Sequence, residues 1–422
     1  MPTSAQSFFE NDPPHGKVKR VMWFKYLQAF VAKTQQSTSV GKTIICDVFA
    51  GRGVYDNNWS STFTDYGSPL IALRAAIGYF VHRNNLPNNF EPIIDANPDY
   101  TEDETSFLGE YKINLYFVEQ NRNNYESLVD NIILFFNFHG INVIKSLPAS
   151  NRACVSSMDE DFPIRCNICK CKFEDFPAPA LHDNTRMVTF IDPFGFVMIP
   201  WQRVSDFVGE HKELYINLMT SFMHRLFTQN RDRIGEVFGM EPDVLETFRN
   251  DDESDFVNTL ADLYVEKLRE SSDYALTFEM KDIRNRRLYH LIFATSHIKG
   301  LKAMKESFNR GTQEQNTFSL SDYKILKNDI PLDLDLRNKQ KPMQVANVIF
   351  DKFWGERYVR IRDIEDFVWL KTPYVYRKKP LAILERGGKI ENVVDTSFRS
   401  AGRRRRTFPD HTEWLISFAG DQ

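Results

Sequence analysis

The chain has 422 residues, 42% of them hydrophobic and 14% aromatic, with a formal net charge of −4. That length allows more than one domain and a large core, no run of about 18 apolar residues marks a transmembrane helix, and the opening MPTSAQSFFENDPPHGKVKR lacks the apolar stretch of a signal peptide. Five cysteines are too few for a disulfide scaffold in so long a chain, so the expectation is an intracellular protein of the cytoplasm or nucleus, with no membrane association.

Taken in chain order, GKVKRVMWFKYLQAFVAKT sets Val21, Phe24, Leu27 and Val31 at helical spacing. Thr43 to Phe49 is a short apolar run bounded by Gly41 and by Gly51 and Gly53, the mark of a buried parallel strand. In GSPLIALRAAIGYF, Ser68 suits an N-cap and Pro69 the first helical position, with Leu70, Leu73, Ala76 and Ile77 on one face. Residues 83–110 are polar and read as a surface insertion. KINLYFVEQNRNNYESLVDNIILFFNFHG reads as strand, turn and helix, and INVIKS as a third strand. A second insertion, 148–186, holds four of the five cysteines. RMVTFIDPFGF, ELYINLMTSFMHRLF and RLYHLIFATSH supply further strands, and KGLKAMKESFN a helix. Strands alternating with helices over residues 1–310 predict an open, mostly parallel α/β sheet with helices on both faces.

Residues 311–340 read as a linker. Residues 341–398 offer two or three helices and a glycine turn into a strand, a winged-helix-like domain, and 399–422 a basic flexible tail. Charge follows this division. Residues 341–422 hold 16 Lys and Arg against 11 Asp and Glu, while the rest of the chain holds 37 against 46. A basic piece on an acidic body points to a polyanionic partner.

Three stretches carry candidate chemistry. In CDVFAGRG an apolar strand runs into Asp47, Phe49, Ala50, Gly51 and Gly53, and small residues in such a turn let the backbone approach a ligand. Arg52 in that turn faces either a ligand carboxylate, a substrate phosphate or solvent. Glu119 ends the next strand, where a carboxylate can bind the two hydroxyls of a ribose. MVTFIDPFGF ends in Asp192 and Pro193, whose carboxylate and carbonyl oxygens suit a planar amino group, with Phe194 or Phe196 stacking on the base that bears it. The full dinucleotide glycine fingerprint is absent, which disfavours a nicotinamide oxidoreductase.

This ordered set resembles class I S-adenosylmethionine-dependent methyltransferases, with DVFAGRG as the cofactor motif, Glu119 as the ribose acid and IDPFGF as the fourth motif of amino-methyltransferases. That motif is usually Asp-Pro-Pro-Tyr; the Asp-Pro-Phe-Gly form is similar to tRNA guanosine N2-dimethyltransferases and leaves the acceptor atom open. A closer resemblance, to the three-Cys-motif partner family, covers most of residues 8–390 through HGKVKR, FAGRGVY, GSPLIAL, VEQN, IDPFGF and YHLIFATSHIKGLKAMK. It implies a Rossmann-like methyltransferase-type fold. S-adenosylmethionine would lie on Asp47, Phe49, Ala50, Gly51, Gly53 and Glu119. Asp192, Pro193 and Phe194 would be catalytic, and Lys17 and Lys19 would close over the cofactor. The acceptor is expected to be an amino group of an RNA or DNA base. The alternative is a catalytically silent scaffold that binds nucleic acid or protein.

Other motifs carry less. Cys166, Cys169 and Cys171, with Cys154 or His182, have a zinc-knuckle-like spacing but lack a proper second pair, so no metal is expected. YVYRKKP alternates ring and cation, which nominates Arg377, Lys378 and Lys379 for phosphate contact, while a protein partner for this domain stays open. GRRRRTF fits a nuclear-localisation patch. His290 and His297 are expected to be structural more than catalytic.

Overall fold

In the computed structural model the described residues are 14–55, 66–85, 110–193, 199–249, 253–281, 287–314, 334–372, 374–395, 408 and 414–420. The chain divides into two compact units, Met1–Ile325 and Leu326–Gln422.

The first unit opens with α1 (Pro14–Gln36), β1 (Lys42–Asp47), α2 (Ser68–Arg83), β2 (Ile113–Val118) and α3 (Arg122–Phe138). Then come β3 (Val143–Ala149), β4 (Arg152–Ser157), β5 (Ile164–Cys169) and β6 (Thr185–Ile191). After a short helix α4 (Trp201–Val204) and β7 (Lys212–Leu218), four helices follow: α5 (Thr220–Leu226), α6 (Arg231–Phe238), α7 (Pro242–Thr247) and α8 (Glu253–Arg269). The unit closes with β8 (Tyr274–Lys281), β9 (Arg287–Thr295) and α9 (Ile298–Glu314).

One nine-stranded sheet, in the order β3-β4-β5-β2-β1-β6-β7-β9-β8, unites these strands. The run β5-β2-β1-β6-β7 is parallel throughout. Strand order reverses at β1, with β2 on one side and β6 on the other, the place where open α/β sheets bind their ligands. At one end β9 inserts antiparallel between β7 and β8. This is the Rossmann-like methyltransferase-type sheet; an all-parallel dinucleotide-binding sheet has no such inserted strand. Alternate residues of each strand feed two separate cores. Ile45, Leu115, Val188 and Tyr215 pack with α1, α2, α3 and α9. Ile44, Cys46, Met187 and Ile216 pack with the helices that follow β7.

INVIKS supplies β3, the third strand in chain order as expected, which stands at the edge of the sheet beside β4. Other expectations need correction. The place beside β2 belongs to β5, from within the supposed insertion 148–186. Ile164–Cys169 alternates apolar and polar residues for only two pairs before Ile168 and Cys169, both buried, too short a signal to outweigh its charged and cysteine-rich flanks. Strand β8 was also unforeseen. Gly67, not Ser68, is the N-cap of α2, so Ser68 and Pro69 are its first two helical residues. The supposed insertion at 83–110 falls almost wholly outside the described residues, as 86–109 do.

The second unit consists of α10 (Leu334–Phe353), β10 (Val359–Arg360), α11 (Ile361–Lys371), α12 (Lys379–Arg386), β11 (Ile390–Asp395) and β12 (Trp414–Phe418). Ile349, Ile364, Leu381 and Ile416 are among its core residues. β12 runs antiparallel between β10 and β11. The stretch expected as a flexible tail, 399–422, therefore supplies the middle strand of a sheet. Trp414, Ile416 and Phe418 alternate into the core, and the arginine run before them masked that pattern.

Candidate functional site

The end of β1 shapes a tight turn. Gly51 has φ 60° and Gly53 φ 85°, left-handed values that side-chain-bearing residues avoid. A Cβ on Gly53 would lie 3.0 Å from Cδ1 of Leu128. The turn is tied on every side. The Ala50 amide donates to the Val118 carbonyl at 2.9 Å, Gly67 donates to the Gly53 carbonyl at 2.7 Å, and the Asn131 side chain donates to the Arg52 carbonyl at 2.7 Å.

Asp47 is fully buried and takes the Phe49 amide at 3.2 Å on Oδ1, while Oδ2 has no hydrogen-bond partner among the described residues. Burial pushes its pKa up to about 7; the nearby Ser68 side chain and the Phe49 amide oppose the rise, and the charges of Asp192 and Glu119 add to it. Asp47 therefore acts on the shape of the turn. Arg52 bends back to donate to the carbonyls of Val54 at 3.1 Å and Tyr55 at 2.9 Å, so it braces its own turn. Phe49 packs near Phe173, with ring centroids 5.7 Å apart.

Glu119 immediately follows β2. Its Oε1 accepts the Asn121 amide at 2.6 Å. Burial raises its pKa, opposed by the amides of Asn121 and Gly51 and by the Asn124 side chain. Beside it, over the carboxyl ends of β2 and β5, a cavity of about 690 Å³ is lined by residues that include Gln120, Asn121, Arg152, Lys170 and Phe176.

Asp192 immediately follows β6. Its Oδ1 accepts from the Asn217 side chain at 2.9 Å, and its Oδ2 forms an ion pair with Lys19. Asp47 lies level with Phe117 and Phe190 in the sheet register, so Glu119 and Asp192 each stand two residues beyond it. Three carboxylates thus end three adjacent parallel strands, β2, β1 and β6, at the reversal of strand order. Burial also raises the hydroxyl pKa of Tyr215 and Tyr289, and the nearby charge of Asp192 pushes both further.

Pro193 is buried beside Asp192, whereas Phe194 and Phe196 lie outside the described residues. One contributor went unread in the sequence: Asn217, an amide at the end of the otherwise apolar strand LYINL, a signal available on inspection. Lys19, named there only through the resemblance, contacts Asp192.

The cysteine set does not converge. Three residues apart on one strand, Cys166 and Cys169 point to opposite faces of the sheet and join different cores. Among the described residues, no group of three or more His, Cys, Asp or Glu is placed to hold a metal. His290 is buried with Nδ1 2.7 Å from the Thr220 hydroxyl, and His297 Nδ1 accepts the Lys299 amide at 3.0 Å at the start of α9. In the second unit Arg377 and Lys379 are exposed, but Tyr376 is buried in the core, so YVYRKKP is not a continuous stacking face.

No family model and no curated protein matches the chain. Among solved structures, it is similar to protein LPL1258 from Legionella pneumophila, with a TM-score of 0.37 and 12% identity over 72% of this chain and 96% of that one. It is also similar to the plantazolicin methyltransferase BpumL in complex with SAH, with a TM-score of 0.27 and 10% identity over 69% of this chain and 94% of that one. Likeness at this level leaves function to the geometry of the site. Among the described residues no helix is long and apolar enough to cross a membrane.

Proposed function

We propose that the first unit is an S-adenosylmethionine-dependent methyltransferase acting on an amino group of a nucleic-acid base, RNA or DNA, and that the protein belongs with the three-Cys-motif partner family it resembles. The observation that carries this reading is the row Glu119, Asp47, Asp192 on the carboxyl ends of β2, β1 and β6, at the switch point of a methyltransferase-type sheet.

The residues fit the cofactor. Gly51 and Gly53 leave the turn open to the methionine part, with Phe49 and Ala50 in the same turn and Asp47 beneath it. Glu119 takes the ribose hydroxyls, and the adjoining cavity leaves room beyond them. Bound there, S-adenosylmethionine supplies a methyl group already activated on a sulfonium. The chain's own task is to position and desolvate. Asp192 and the Pro193 carbonyl receive the hydrogens of the acceptor amine, which aims its lone pair. Asp192 takes the released proton as the new N–C bond completes. Phe194 and Phe196 are assigned to the acceptor base by sequence. The second unit, ordered helix, strand, helix, helix, strand, strand, reads as a winged helix whose Arg377, Lys378 and Lys379 meet phosphates.

One observation favours the silent-scaffold reading: both oxygens of Asp192 are engaged by the chain's own Lys19 and Asn217. A single experiment separates the two. Labelled S-adenosylmethionine is mixed with the protein and total cellular RNA and DNA, and nucleosides are resolved by mass spectrometry. Cofactor binding with a newly methylated base supports the enzyme; no cofactor binding supports the scaffold.

A further inference from the structure

Resting on that reading, we propose that Lys19 is a positioning residue for methyl transfer. From one side its ammonium, and from the other the Asn217 amide, fix the plane and direction in which the Asp192 carboxylate meets the acceptor amine.

The argument begins with how α1 is seated. Trp23 is one helical turn beyond Lys19 and so lies on the same face. Its ring stacks on Phe190 at 4.8 Å and on Tyr215 at 5.6 Å. Phe190 is two residues before Asp192, and Tyr215 two before Asn217. The packing of α1 therefore sits directly beneath the two strand ends and sets where the Lys19 side chain emerges. The neighbouring Arg20 lies over the Tyr55 ring at 4.2 Å, just past the glycine turn. One turn of α1 thus meets both the turn after β1 and the acid after β6.

The pair is withdrawn from water, with side-chain exposures of 12% for Lys19 and 19% for Asp192. An ammonium normally reaches for solvent. Here it lies inward, 5.7 Å from the centroid of the Tyr289 ring. Anchoring of the helix does not explain this, since Met22, Trp23, Tyr26, Leu27 and Val31 already bury its apolar face. A carboxylate held on one oxygen only can swing about its Cβ–Cγ bond; held on both, it cannot. The ammonium also bears on the substrate. A second cation at the same carboxylate is disfavoured, so this corner favours an amine that arrives already neutral, such as the exocyclic amine of a base, over a lysine side chain, which arrives as an ammonium and must first lose a proton.

Single-turnover transfer to total RNA and DNA, with a lysine-rich peptide as the control acceptor, tests this in the full-length protein. Lys19→Met is expected to slow transfer by about 10²-fold, the loss typical of a misplaced reacting group. Cofactor affinity should be unchanged, and Lys19→Arg should recover most of the rate. Lys19→Gln serves if the Met variant melts early. Wild-type transfer by both uncharged variants, or an equal loss in Lys19→Arg, overturns the positioning role while leaving the enzyme reading intact. Preferred methylation of the peptide overturns the neutral-acceptor conclusion. Absence of transfer to any acceptor by the wild type removes the enzyme reading itself, and this proposal with it.

Discussion

Asn217 donates a hydrogen bond of 2.9 Å to Oδ1 of Asp192, one residue past the last register pair of β6 and β7, Ile191 with Ile216. This bond makes Asp192→Asn an informative change. The new amide can still offer its oxygen to Asn217, but its nitrogen then faces the Lys19 ammonium and the acceptor, a donor set against donors. Transfer in a single turnover should fall by about 10²-fold or more, with cofactor affinity hardly altered. A folded Asp192→Asn protein with the wild-type rate would reduce IDPFGF to a structural turn.

The glycine turn gives a prediction in binding rather than rate. Gly53→Ala places a Cβ on a residue with φ 85° and brings it to 3.0 Å from Leu128. The conformational strain alone is about 1–2 kcal/mol. Glu119→Ala removes the charged acceptor proposed for the ribose, a loss of about 1–3 kcal/mol in binding. Calorimetry with S-adenosylmethionine should show both variants binding more weakly than wild type. Equal affinity in all three would move the pocket elsewhere.

Glu213 is the second residue of β7, at the far end of the strand from Asn217, and Thr295 donates to its Oε1 at 2.9 Å. Burial raises its pKa from 4.5 to about 8, opposed by that hydrogen bond. Across that window the folded protein keeps a proton that the unfolded chain releases, so stability contributed here is present below the lower value and is lost as pH rises. Glu213→Gln keeps the acceptor oxygen and removes the titration. Denaturant unfolding at about pH 5 and about pH 9 should show little difference at the lower pH and a gain of about 2–5 kcal/mol at the higher. An unchanged pH slope in the variant would count against a buried, titrating Glu213.

Reversing Arg377, Lys378 and Lys379 to Glu in the full chain tests the second unit. Each lost phosphate contact should lower the slope of log affinity against log salt by about 0.7–0.9 for RNA or DNA, and affinity itself should fall. Cofactor binding should not change. Undiminished nucleic-acid affinity would assign these cations another partner.

Much of the first unit was legible because its signals are local. β1, β2 and β6 are continuous apolar runs that stop at an acid, and the three acids that end them could be named from the sequence. What escaped was non-local or short. β5 reads poorly by itself because it is defined by its neighbours, β2 and β4. The contact of Lys19 with Asp192 spans most of the unit's sequence and follows from how α1 docks, which spacing does not encode. The C-x2-C spacing suggested convergence, but that geometry belongs to a turn; on a strand it separates the two thiols.

The three-stranded sheet of the second unit has an uneven dependence on its parts. β10 and β11 each pair with β12, and β12 is drawn from Trp414–Phe418. Losing an edge strand narrows a sheet; losing the middle one dissolves it, because the survivors have no ladder with each other. A premature stop after residue 413 would remove few residues yet leave two strands with open edges, the kind of surface that recruits other chains. Such a product should aggregate rather than merely lose activity, even though every helix of that unit is still encoded upstream of the cut.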